Sequence, residues 1–258
     1  MGLFDLPAPL FDIINTVLTS LLPPLFRLIV WGVLAGWLTM LAYRYFSNQE
    51  EIAGLKAMQR VQQKNIAEYD GEFSGLMPLI RNTLALGFRQ LGKALGPALL
   101  ATLPVLSIVI WVAGEFGHVF PSAGSEVAFH IEPSGSEVHW SSSAQARMED
   151  GGWLVTWPVS GQTLTMNEGA IIEPGPPLLM LPLEHAIPVI HKKRWWNVLV
   201  ANPLGYLPID GHAEVINIDL PELELIDFGP AWVRGWKLSF FTVFLLASLW
   251  SKYVLRLH

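Results

Sequence analysis

The chain of 258 residues is 52% hydrophobic and only 15% charged, with a mean hydropathy of +0.40. This balance is too apolar for an ordinary soluble domain and predicts a membrane protein, while the net charge of −6 argues against a nucleic-acid-binding surface. Since the chain contains no cysteine, disulfide bonds, thiol catalysis and cysteine-ligated metals are excluded.

The first 24 residues form an apolar segment with a helical pattern. Leu10 and Ile13 begin a series of large apolar side chains at spacings that place them on one face of a helix. For residues 1–24 we therefore predict an amphipathic helix that lies in the membrane interface, with Pro23 and Pro24 turning the chain into the bilayer. The alternative is that this helix is the first part of the following span.

Three stretches are candidate membrane spans: residues 25–45, residues 94–114 and residues 230–258, the last of which includes the C-terminus. A helix needs about 20 predominantly apolar residues to cross the hydrocarbon core of a bilayer. Pro97 and Pro104 lie two helical turns apart in the second stretch, so they share one face and predict a kinked helix within a bundle.

Residues 46–93, between the first two spans, predict a helical hairpin, in which residues 47–69 are polar and residues 73–93 are amphipathic. Ser47 followed by Glu50 predicts a capping box at a helix start, and Asp70 with Gly71 predicts the turn between two helices. The basic residues of this region are Arg44, Lys56, Arg60, Lys64, Arg81, Arg89 and Lys93. The positive-inside rule then places the hairpin in the cytoplasm, the N-terminus outside and the C-terminus inside.

Residues 115–229 have the pattern of a small all-β, sandwich-like domain outside the cytoplasm. Short alternating runs are separated by Gly, Pro and Ser, and they cover residues 127–132, 136–140, 153–157, 163–166, 198–201 and 213–220. The sequence Pro133-Ser134-Gly135 predicts a hairpin that joins the first two strands and faces His130 towards His139. No histidine and carboxylate spacing matches a metal site, so we expect no metal.

One run of residues carries a family resemblance. The sequence from Tyr45 to Glu51, after an N-out span and before a charged hairpin and a proline-containing span, resembles the YidC-like insertase superfamily. The likeness is greatest to its three-span branch, the archaeal YidC-like proteins and the insertase subunit of the ER membrane protein complex. It covers about residues 8–114 and the last span. The external domain between the second and third spans departs from that branch.

The resemblance implies a polar groove, open to the cytoplasm and to lipid, that receives hydrophilic client segments. Its candidate lining residues are Arg27, Thr39, Arg44, Thr102, Ser107, Ser239, Thr242 and Ser248. The alternatives are that Arg27 snorkels at the outer boundary, that Arg44 is a positive-inside anchor, and that each hydroxyl bonds to its own helix. The candidate capture residues of the hairpin are Asn48, Gln49, Glu50, Glu51, Arg81 and Arg89.

These patterns predict a membrane-protein insertase or chaperone of the bacterial inner membrane, with its β-domain in the periplasm. A charge at the bilayer centre costs at least ~2.5–3.5 kcal/mol on insertion scales, and a wet groove would lower that barrier without bond chemistry. We expect no enzymatic activity and no cofactor. The expected partners are lipids, newly made membrane proteins and either ribosomes or partner membrane subunits. The alternative is a non-catalytic subunit that anchors a membrane complex through the β-domain.

Overall fold

The computed structural model describes residues 2–133, 138–141, 145–148, 151–169, 177–199 and 202–257. A 3-10 turn at Leu3–Asp5 precedes the helices, which are α1 (Ala8–Thr19), α2 (Pro24–Phe46), α3 (Gln49–Ala67), α4 (Phe73–Gly117), α5 (Ala231–Arg234) and α6 (Trp236–Val254). The strands are β1 (Glu126–Glu132), β2 (Val138–Trp140), β3 (Gln145–Arg147), β4 (Trp153–Thr156), β5 (Leu164–Glu168), β6 (Pro177–Leu181), β7 (Val189–His191) and β8 (Val215–Ile218).

The chain divides into two compact units. The first unit comprises Met1–Ile29 with Ser107–Phe240, and the second comprises Val30–Leu106 with Phe241–His258. The first therefore contains α1 and all eight strands, whereas the second contains α3 and most of the long helices α2 and α4.

Within the described residues, two helices, α2 and α4, are long and apolar enough to cross a membrane, judged by length and composition. Helix α4 is a single helix of 45 residues, so no break separates the predicted hairpin arm from the predicted second span at residues 93 and 94. Prolines at positions 78, 97 and 104 lie inside it. The third span stays a prediction, because Lys237 and Lys252 near the two ends of α6 limit its charge-free stretch.

The start of α3 differs from the predicted capping box by one residue. Asn48, not Ser47, is the N-cap, and its side-chain oxygen accepts a hydrogen bond of 3.2 Å from the backbone N–H of Glu51. The hydroxyl of Ser47 instead donates to the carbonyl of Tyr43 at 2.6 Å, which ties it to the end of α2. Serine and asparagine are both good N-cap residues. Because the hydroxyl of Ser47 is already bonded to α2, Asn48 provides the cap.

Helices α3 and α4 form the predicted helical hairpin within the second unit. Ile52 and Leu55 are the buried apolar positions of α3. The ammonium of Lys93 lies 3.1 Å from the carboxylate of Glu51, which joins the two arms. The helical pattern stops at Ala67 and resumes at Phe73, so the break predicted around Asp70 is confirmed.

The β-domain consists of two antiparallel sheets around one core, as the alternating runs predict. The five-stranded sheet has the order β3-β4-β1-β8-β7, and the three-stranded sheet has the order β2-β5-β6. Every second residue of β1 points inward, including Val127 and Phe129. Phe129 packs edge-on against Trp140 of the other sheet with ring centroids 5.1 Å apart. The core is shared by both sheets.

The predicted hairpin between the first two strands is wrong. Strand β1 pairs with β4 and β8, whereas β2 pairs with β5 in the other sheet. His130 therefore lies opposite Asn217, and His139 lies opposite Asn167. The two histidines do not face each other, and the predicted turn residues Ser134 and Gly135 lie outside the described residues.

Two strands of the β-domain lie in an apolar stretch that the predicted runs do not cover. Strands β6 and β7 occupy the two ends of the apolar stretch that contains Pro182 and Pro188. Both prolines flank the strands rather than interrupt them, so no ladder hydrogen bond is lost. The strand predicted at residues 198–201 is not present in its described part, where Val198 belongs to a turn; residues 200 and 201 lie outside the described residues.

Candidate functional site

A polar cluster joins α1, the first turns of α2 and the end of α4 within the first unit. Arg27 is its centre, and its side chain is only 13% exposed. The guanidinium donates a hydrogen bond of 2.7 Å to the hydroxyl of Thr19 and lies 3.8 Å from a carboxylate oxygen of Glu115. It also lies 5.4 Å above the ring of Phe116. Arg27 is thus held by protein groups, which differs from an arginine extended to the membrane surface.

Two further polar contacts tie α1 to α4. The side-chain amide of Asn15 donates to the carboxylate of Glu115 at 2.7 Å, and the indole N–H of Trp111 donates to the carboxylate of Asp12 at 2.7 Å. Asp12 and Asn15 are three residues apart, so a helix places them on the same side. The polar face of α1 therefore packs on α4.

Two of the predicted groove hydroxyls donate hydrogen bonds to carbonyls of their own helices. Thr39 donates to the carbonyl of Ala35 at 2.7 Å, and Thr102 donates to the carbonyl of Leu99 at 2.7 Å. Because each hydroxyl already donates its one proton to its own helix, these residues offer a client only an acceptor oxygen. Thr39 and Thr102 therefore fit the alternative in which each hydroxyl bonds to its own helix.

The remaining predicted groove residues fall into different environments. Ser107 and Ser248 are buried, Ser239 is partly buried, and Thr242 and Arg44 are exposed. In the second unit Ser248 lies beside Gly36, where an added Cβ would come within 2.9 Å of the Ser248 backbone nitrogen. The absence of a side chain at Gly36 therefore lets α2 and α6 pack closely at this point.

The predicted capture residues lie on the hairpin in three kinds of environment. Asn48 caps α3, and the side-chain amide of Gln49 donates to the hydroxyl of Ser47. Glu51 pairs with Lys93. The remaining capture residues are exposed and are Glu50, Arg81 and Arg89.

The hairpin also exposes a row of large apolar side chains, whose α4 members belong to the amphipathic pattern of residues 73–93. We call this set the apolar row, and its members are Met58, Val61, Met77, Leu84, Phe88 and Leu91. On α4 the members recur at spacings of seven, four and three residues, which places them on one side of the helix. Phe88 is 71% exposed. In the sequence, this row is visible as the helical periodicity of apolar residues in α4.

A cavity of about 700 Å³ lies next to the polar cluster in the first unit. Its walls come from the start of α1, the end of α4 and the α5–α6 region, together with loops of the β-domain. Burial lowers the pKa of His118, which lines the cavity; nearby Lys237 lowers this pKa further, and Glu222 opposes the shift. His118 is consequently neutral at pH 7.

Comparison with protein-family models, with curated proteins and with solved structures found no match to this chain. The insertase resemblance therefore rests on the residues themselves and stays a prediction.

Proposed function

We propose that the protein is a membrane-protein insertase or chaperone, in which α2, α4 and α6 cross the membrane and the α3–α4 hairpin captures clients in the cytoplasm. The observation that carries the proposal is the exposed apolar row of the hairpin. Its four members on α4 share one side of the helix, and an exposed apolar helix face marks a site that binds an apolar partner.

The chemistry of the row suits varied clients better than one fixed partner. Met58 and Met77 have flexible, polarisable side chains that adapt to different apolar surfaces. The surrounding charges, such as Arg81 and Arg89, keep the hairpin soluble and attract acidic flanks of a client. An insertase needs this combination because its clients share apolarity but no sequence.

The orientation follows from charge. The basic hairpin lies in the cytoplasm, and the β-domain lies on the opposite side of the membrane, as in the periplasm of a bacterial envelope. In this arrangement Arg27 and Glu115 lie near the outer end of the spans. Their mutual pairing lowers the cost of each charge there, so that the polar cluster stabilises the bundle while the hairpin receives clients.

The test combines crosslinking with insertion. A photoreactive amino acid at Phe88 is expected to capture many short, newly made membrane proteins in cells, whereas the same probe at Lys64, on the charged side of α3, is expected to capture few. In proteoliposomes the Leu84→Ser/Phe88→Ser variant should insert a model client several-fold less than the matched Arg60→Ser/Lys64→Ser variant.

Two outcomes would contradict the proposal. One stoichiometric partner captured at Phe88 would identify the row as a permanent interface and the protein as an anchoring subunit of a complex. Equal insertion by the row variant and the wild type would show that the row takes no part in client capture.

A further inference from the structure

We propose that the cavity at the end of α4 is a binding site for an organic cation, in which tryptophan rings and carboxylates hold an ammonium group. The proposal goes beyond insertase activity, and its test does not depend on that activity. A cavity of about 700 Å³ is within the range of small-molecule sites.

The aromatic walls of the cavity come from Trp111, Trp232 and Trp236. The hydrogen bond from the indole of Trp111 to Asp12 fixes the first ring. Trp236 is buried and packs edge-on against Phe240, with centroids 6.1 Å apart. Indole faces attract cations, and tryptophan is the strongest of the aromatic side chains in this respect.

The charges of the cavity wall favour a cationic ligand. Among the described residues that line it are five carboxylates, those of Asp5, Asp12, Glu115, Glu184 and Glu222, against one lysine, Lys237. Asp5 accepts backbone N–H groups of Gly2 and Asn202, and Glu115 shares its charge with Arg27. After these two are set aside, three carboxylates remain against one ammonium, and neutral His118 adds no charge. The residual field is negative.

An organic ammonium fits this wall better than a metal ion. Among the residues that the structure describes, no group of three or more histidines and carboxylates is placed to hold a metal. Lys237 supplies a positive charge to the cavity wall. A zwitterion that carries a phosphate beside its ammonium satisfies both signs, whereas a simple amine pairs with the carboxylates and leaves Lys237 to solvent. The shared chemistry is the ammonium group.

The test measures binding to purified full-length protein in maltoside micelles by calorimetry. Choline and tetramethylammonium are expected to bind, whereas dimethylbutanol, the neutral isostere of choline, is not. Trp232→Leu and Glu222→Gln are expected to weaken choline binding about three- to tenfold each. Trp232 is 70% exposed and Glu222 is also exposed, so neither change opens a core. The matched controls are Trp195→Leu and Glu126→Gln, which lie outside the cavity wall and should bind as the wild type does.

A second arm separates the two sources of an ammonium group. Displacement of choline by phosphatidylethanolamine, but not by phosphatidylglycerol, supports a lipid headgroup as the ligand. Choline binding that neither lipid displaces supports a soluble amine. Equal binding of choline and dimethylbutanol, no binding of either cation, or unchanged binding in both cavity variants would overturn the proposal.

Discussion

Replacing Arg27 by leucine removes three interactions whose contributions can be separated. A hydrogen bond with solvent nearby contributes about 0.5–1.5 kcal/mol net, which applies to the 2.7 Å contact with Thr19, because Thr19 is exposed. The ion pair with Glu115 is longer, at 3.8 Å, and Glu115 is 36% exposed, so solvent screening reduces it to roughly 0.2–1 kcal/mol. The contact with the Phe116 ring adds about 0.5–1 kcal/mol. We expect Arg27→Leu to lower the free energy of unfolding by about 1–3.5 kcal/mol.

Double-mutant cycles test how this loss is distributed. The cycle of Arg27→Leu with Thr19→Val should give a coupling energy of about 1–1.5 kcal/mol, because valine keeps the shape of threonine and removes its hydroxyl. The cycle with Glu115→Gln should give less than about 1 kcal/mol. The assay is detergent-induced unfolding of purified protein in mixed micelles, with circular dichroism as the check that each variant folds.

The ranking of the two couplings is the quantity that can refute the reasoning. A coupling to Glu115 larger than the coupling to Thr19 would show that charge, not the short hydrogen bond, holds Arg27. Wild-type stability in Arg27→Leu would show that the arginine is solvated at the membrane surface. Arg27→Lys keeps the charge and loses the planar fork, so it is expected to recover only part of the stability.

Two further predictions concern packing and pH. Gly36→Ala should destabilise the protein by about 1–3 kcal/mol, because the new Cβ would lie 2.8 Å from the Cβ of Ala247, whereas Gly54→Ala meets nothing within 4 Å and should be neutral or stabilising in the same unfolding assay. The folded-state pKa of His118 is lowered, so the unfolded chain takes up the proton first, and stability should fall as the pH drops below the usual histidine pKa of about 6.5. His118→Gln should lose less stability than the wild type between neutral and mildly acidic pH, and an identical pH profile in the two proteins would contradict this assignment.

The helices followed from the sequence because their signals are local. Apolar length alone predicts α2, and charge with periodicity predicts the two arms of the hairpin. Apolar periodicity runs from residue 73 directly into the second span, although three prolines inside a helix normally weaken such a prediction. A proline in an apolar helix removes only one N–H donor, and neighbouring groups can satisfy the carbonyl that is left over.

The β-domain shows where local signals mislead. The Pro-Ser-Gly sequence after β1 predicts a hairpin, yet Val127 and Phe129 already have their partners in β4 and β8. Strand β2 contributes Val138 and Trp140 to the same core from the second sheet. The chain therefore changes sheets at this point. Two strands in facing sheets bury their apolar faces against one shared core, which buries more surface than two adjacent strands in one sheet. Turn chemistry fixes where the chain reverses but not which strand it joins.

The polar cluster marks the limit of sequence reasoning for the site. Arg27 was recognisable as a charge near an apolar helix, but the residues that determine its environment were not. Asn15 and Glu115 are 100 residues apart, and Trp111 and Asp12 are 99 apart. Periodicity shows that Asp12 and Asn15 share a face of α1 and gives no information about the element that covers it. A groove formed by free polar groups and a cluster of paired polar groups have the same composition. Arg27 contacts Thr19 and Glu115, while its Nε is buried without a hydrogen-bond partner, so the couplings around Arg27 measure how strongly the cluster holds it.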